Sequence, residues 1–62
     1  MITTDLEQLA MAQHEKCCSV EYYMHRAEML GPDTRIFYEG LAMENAIAAE
    51  ALGRIYDICA KL

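Results

Sequence analysis

The sequence predicts an all-α fold: an antiparallel two-helix hairpin assembling into a four-helix bundle or a higher helical oligomer. Three observations predict it. The only strong punctuation, Gly31-Pro32-Asp33, lies at the midpoint of the chain. The arms on either side carry apolar residues at helical spacing along their whole length. Finally, 55% of only 62 residues are hydrophobic, more than a lone hairpin can cover.

The first helix is expected from about Thr4 to about Leu30. Thr4-Asp5-Leu6-Glu7 fits a capping box, in which the Thr hydroxyl and the Glu carboxylate each satisfy an orphan amide. A helical wheel gathers Leu6, Leu9, Ala10, Cys17, Val20, Met24 and Ala27 into one apolar stripe, with Gln13 inside it. Asp5, Gln8, Glu15, Lys16, Ser19 and Arg26 form the solvated face.

The turn is expected over residues 31–33. Gly31 suits the left-handed residue that follows a helix end. Pro32 cannot continue a helix, and Asp33 or Thr34 can cap the next one. The second helix is then expected from about Thr34 to about Ala60. Gly40 and Gly53 lie inside it, each unfavourable by up to ~1 kcal/mol against Ala, and close helix approach is a reason to tolerate them. Its polar arc holds Glu39, Glu50, Arg54, Asp57 and Lys61, with Glu50–Arg54 and Asp57–Lys61 as favourable i,i+4 pairs. The rest is apolar or small. Phe37, Leu41, Ala48, Leu52, Ile55 and Cys59 share one sector, and Ile47, Ala51 and Ile58 a second. Ala42, Ala46, Ala49 and Gly53 make a third.

A single domain of this length buries only about 60% of its unfolded surface and is marginal alone. Disulfides, a metal or a partner usually supply the remainder. Adjacent Cys17 and Cys18 and a distant Cys59 do not make a disulfide framework, so reduced thiols are expected. Ten acidic residues against five basic give a net charge of −5, which disfavours nucleic acid and an anionic membrane. No apolar stretch reaches transmembrane length, and Met1-Ile2-Thr3-Thr4-Asp5 lacks the basic and apolar regions of a signal peptide. A soluble, cytoplasmic protein is expected.

Two constellations could carry metal chemistry. Met11, His14, Cys18, His25 and Met29 form a soft-ligand row on the first helix, with His14 and Cys18 at i,i+4. Such donors suit copper or zinc, although ordinary core filling explains Met and Cys equally well. Glu21, His25 and Glu28, with Glu44 from the second helix, form a carboxylate–imidazole set suited to iron or manganese. In an antiparallel hairpin, residues whose numbers sum to about 64 should lie level, which would bring Glu21 to Glu44. The chain lacks the ExxH spacing of dinuclear bundles, so a site would need half-sites from two protomers; otherwise these residues make a salt-bridge layer. Cys17 and Cys18 near His14 are better read as core or border residues than as nucleophiles, because a bare hairpin offers no oxyanion hole.

The function expected is therefore non-enzymatic, with no cofactor. The chain reads as a small acidic interaction module: an obligate homodimer or higher oligomer that acts as adaptor, regulator or inhibitor of another protein, with its acidic rim favouring a basic partner. Its contact residues are expected on surfaces left uncovered by the first helix, namely Ile36, Tyr38, Met43, Ile47, Tyr56 and Ile58. A metal-binding four-helix bundle is the alternative, and an acidic decoy for a nucleic-acid-binding surface ranks below both.

Overall fold

A computed structural model describes residues 3–62, with side chains from residue 5 onward. It contains two helices, α1 (Thr3–Met29) and α2 (Pro32–Ala60), packed against each other. The expected capping box rests on the Thr4 side chain, which lies outside the described residues.

The turn is tighter than expected. Gly31 is extended, with φ −68° and ψ 169°, rather than left-handed. It serves as the N-cap of α2, and Pro32 takes the first helical turn, where its missing N–H is not needed. Arg35 N–H donates to the Gly31 carbonyl at 3.0 Å, starting the helical ladder there. The Thr34 hydroxyl also donates to that carbonyl, at 3.1 Å, so it reinforces the turn instead of capping an amide. The helix thus starts at Pro32, before the expected Thr34.

Contact between the helices follows a heptad pattern. On α1 and the residue just after it, the half-buried or buried residues are Leu6, Leu9, Ala12, Gln13, Ser19, Val20, Tyr23, Ala27 and Leu30. Leu6, Gln13, Val20 and Ala27 are seven apart, and so are Leu9, Lys16, Tyr23 and Leu30, the spacing of a coiled-coil seam. Lys16 is exposed and breaks the second row. On α2 the matching seam is Tyr38, Ala42, Asn45, Ala49, Leu52, Tyr56 and Cys59, at alternating spacings of four and three.

The seam is rotated from the expected stripe. Ala10, Cys17 and Met24 are exposed, while Ala12, Tyr23 and Leu30 take up the contact. A tyrosine can bury its ring and keep its hydroxyl wet, so its polarity conceals an inward position. The alanine sector of α2 faces α1, with Ala42 and Ala49 buried against it. Small side chains there let the two backbones approach. Gly53 is part of the same approach: a Cβ built on it would stand 2.6 Å from Gln13 Nε2. Gly40 has open space around it, so close helix contact does not explain that glycine.

Two polar residues of the seam bond to backbone carbonyls, and one of the bonds ties the helices together. Gln13 Nε2 donates to the Ala49 carbonyl at 3.3 Å, across the seam. Asn45 Nδ2 donates to the Leu41 carbonyl at 2.8 Å, within α2. Near the turn, Tyr23 lies against Tyr38 with ring centroids 6.1 Å apart, and the Arg26 guanidinium stands 5.8 Å from the Tyr38 ring centre. Such a cation–π contact contributes roughly 0.5–1 kcal/mol at exposed sites. The level pairs Gln13–Ala49 and Tyr23–Tyr38 place the register slightly closer to the turn than the expected sum implied.

The result is a rod of 47 × 14 × 10 Å. Its radius of gyration is 14.3 Å, against about 10.6 Å for a compact chain of this length. Among the described residues the buried core is three alanines, Ala27, Ala42 and Ala49.

Candidate interaction surface

The chemistry of the surface follows from a core made of small residues. Large apolar side chains cannot all enter so thin a contact, and they stay outside. Met11, Tyr22, Met24 and Met29 on α1 are exposed, as are Ile36, Phe37, Met43, Ile47, Ile55, Ile58 and Leu62 on or just beyond α2.

The structure separates the six expected contact residues into two groups. Ile36, Met43, Ile47 and Ile58 are free, with Ile36 75% and Ile58 63% exposed. Tyr38 and Tyr56 are half-buried in the hairpin seam, and Tyr38 is held by Tyr23 and Arg26. Their rings serve the hairpin first.

Exposed Phe37, Ile55 and Ile58 of α2 belong to an ordered row that Leu62 extends just past the helix end, whereas Ile36, Met43 and Ile47 lie outside it. Phe37, Leu41, Glu44, Ala48, Ala51, Ile55, Ile58 and Leu62 follow one another at spacings of four, three, four, three, four, three and four. This is a second heptad seam, displaced by one residue from the seam that meets α1. One residue is about 100° of rotation, so the two seams face neighbours on adjacent sides of the helix. Leu41 and Ala48 are half-buried and form the edge shared by both. The other members are exposed. Reading α2 as apolar sectors had not isolated this row, because its members were divided between two sectors. The alternating spacing was the signal that identifies it.

On the opposite edge of the hairpin, Val20 and Met24 of α1 and Glu39, Ala42, Met43 and Ala46 of α2 line a shallow groove. The flanks there are charged. Arg35 bridges Glu39 at 2.8 Å, and Arg54 pairs with Glu50. Both pairs are i,i+4 and largely exposed, the type that contributes about 0.3–0.5 kcal/mol. Asp57 and Lys61 do not close into a pair among the described residues.

The candidate metal ligands are dispersed. His14 Nε2 and Cys18 Sγ are 3.5 Å apart on the outer side of α1. Glu21, His25 and Glu28 are also exposed on α1, and Glu44 is exposed on α2. Glu21 lies beyond the edge occupied by Ala10, Cys17 and Met24, whereas Glu44 lies beyond the edge occupied by Leu41 and Ala48. Those are opposite edges of the contact, so level positions in the hairpin do not bring Glu21 to Glu44. Among the described residues no three His, Cys, Asp or Glu side chains converge. The three cysteines are free thiols, with Cys17 and Cys18 exposed and Cys59 half-buried.

Among the described residues, no helix is long and apolar enough to cross a membrane. Comparison with protein-family models, curated proteins and solved structures returns no match.

Proposed function

We propose that this chain is a non-enzymatic interaction module that completes its fold by packing against a second copy of itself. One observation carries the reading: the buried core is three alanines, while eleven large hydrophobic residues stand exposed among the described residues. A core of that size contributes little against the conformational entropy of ordering the chain. Covering the exposed residues adds the missing burial, at roughly 25 cal/mol per Å² of apolar surface removed from water.

The surface area supports the same reading. A compact monomer of 7.0 kDa is expected to expose about 4,000 Å². The hairpin exposes 4786 Å². The surplus, roughly 750 Å², is close to the ~800 Å² that each partner contributes to a standard stable interface. A homodimer is the simplest product, since two-fold dimers are the commonest assembly and two hairpins make a four-helix bundle. Faces left free after that pairing, including Met11, Tyr22 and Met29, would then serve an adaptor or regulatory contact with another protein. The net charge of −5 favours a basic partner and faster association with it.

Native mass spectrometry of the untagged chain, purified without chelator and analysed for metals, tests the proposal. A multimer whose mass is protein alone is expected. A folded monomer at micromolar concentration would overturn it. The approach of His14 to Cys18 favours a second reading, a soft-metal site completed by ligands from another copy. Stoichiometric copper or zinc in the multimer, lost in His14→Ala, would establish that reading instead.

A further inference from the structure

We infer that the second copy docks on the outer heptad row of α2, antiparallel, in the register that pairs residues whose numbers sum to 99. The inference rests on the self-association proposed above and adds its face, direction and register.

The row itself supplies the argument. It is apolar over its whole length except at Glu44. In a parallel two-fold pairing every residue meets its own copy, so Glu44 would face Glu44 inside an apolar seam. Two carboxylates at one desolvated layer repel, and no cation belongs to that layer. An antiparallel pairing avoids the conflict. Core layers of antiparallel coiled coils join the two alternating positions of the heptad, one from each helix. Here that rule pairs Phe37 with Leu62, Leu41 with Ile58, Glu44 with Ile55, and Ala48 with Ala51. All four layers satisfy one register, which is the condition for an isologous contact.

Shape and charge agree with this register. Ala48 and Ala51 lie at its centre, next to the two-fold axis, where small residues let the backbones approach. The larger Phe37, Leu41, Ile55, Ile58 and Leu62 fill the outer layers. Glu44 meets the level of Ile55 in the other copy, and Arg54 stands beside that Ile55 on the outer edge. In the isolated hairpin Arg54 is exposed and paired with Glu50, so it can turn to a carboxylate of the second copy. The antiparallel arrangement also opposes the two helix dipoles. Because the outer row lies about 100° around α2 from the α1 seam, the second copy approaches a side of α2 that α1 does not cover.

Disulfide trapping tests the register. The natural thiols are removed by Cys17→Ser, Cys18→Ser and Cys59→Ala, and Glu44→Cys is combined with Ile55→Cys. Within one helix those positions are about 16 Å apart, too far for a disulfide. Mild oxidation of the double variant is expected to double the mass, reversibly on reduction, with peptide mapping giving a link between residues 44 and 55. Neither single variant should link. Leu41→Cys with Ile58→Cys samples the adjacent layer, about 25 Å apart within one chain, and keeps the test decisive if the first pair weakens the dimer. Linkage by Glu44→Cys alone would mean parallel pairing and would overturn the register. A dimer by native mass that links through neither pair would overturn the face as well, while leaving self-association intact. A monomer in the unsubstituted chain would overturn both.

Discussion

The two seams of α2 differ in what they tolerate. The inner seam, which meets α1, mixes Tyr38, Asn45 and Tyr56 with three small or thiol residues and a single leucine. Asn45 and, from α1, Gln13 satisfy backbone carbonyls there, and the Arg26 guanidinium covers the Tyr38 ring. The outer seam carries the larger aliphatic residues and one exposed carboxylate, Glu44, which makes no ion pair among the described residues. The helix partner was therefore chosen by fit and not by hydrophobicity. Alanines and a glycine bring α1 close, while the greasier row is left outside. In the inner seam the Gln13–Ala49 bond ties the two helices in register; the outer seam leaves its apolar residues exposed.

That difference can be broken most strongly from the outside. In the proposed dimer, Ile58→Glu places a charge in the layer opposite Leu41 of the second copy, twice per dimer. The dimer dissociation constant should rise at least roughly a hundredfold, since each buried aliphatic contact is worth about 1.5–3 kcal/mol. Sedimentation equilibrium measures this directly. An unchanged constant would move the interface away from the outer row.

The inner seam should respond differently. Ala49 is buried beneath α1, so Ala49→Leu forces the helices apart, at a cost of about 1–3 kcal/mol. Chemical denaturation at fixed protein concentration reads the loss as a lower midpoint. Equal tolerance of Leu at Ala49 and at exposed Ala10 would show that α1 does not pack as described.

The two glycines give the smallest and sharpest contrast. Gly40→Ala meets nothing within 4 Å and should stabilise by about 0.5–1 kcal/mol through helix propensity. Gly53→Ala gains the same propensity but displaces the Gln13 amide from its bond to Ala49. A lost hydrogen bond of about 0.5–1.5 kcal/mol offsets the gain, so little net change in thermal midpoint is expected. Two equal gains would mean that Gln13 relocates freely.

Much of the fold was legible in the residues. Gly31-Pro32 marked the place of the turn but not its form, since Gly31 is extended where a left-handed residue was expected and Pro32 begins α2 where it was expected to precede it. The long arms left no other topology than a hairpin. The rotation of the α1 stripe was harder to read, because Met24 and Cys17 look apolar and Tyr23 looks amphipathic; only the fit against Ala42 and Ala49 decides which goes in. The candidate surface was partly legible. Ile36, Met43, Ile47 and Ile58 were named from pattern alone, and they are exposed. Tyr38 and Tyr56 were named with them because an aromatic on a helix flank gives no sign of which neighbour it serves. Glu44 stood out as an acid in an apolar row, but its position relative to Glu21 depended on which edge of the seam each occupies, a fact of three dimensions.

The central claim is that the hairpin completes its core with a copy of itself. The most direct test follows the mass and helicity of the unmodified chain together, by sedimentation and circular dichroism, from high micromolar concentration down to nanomolar. The account predicts a dimer that loses helicity as it dissociates on dilution. A monomer that keeps full helicity across the whole range would contradict it.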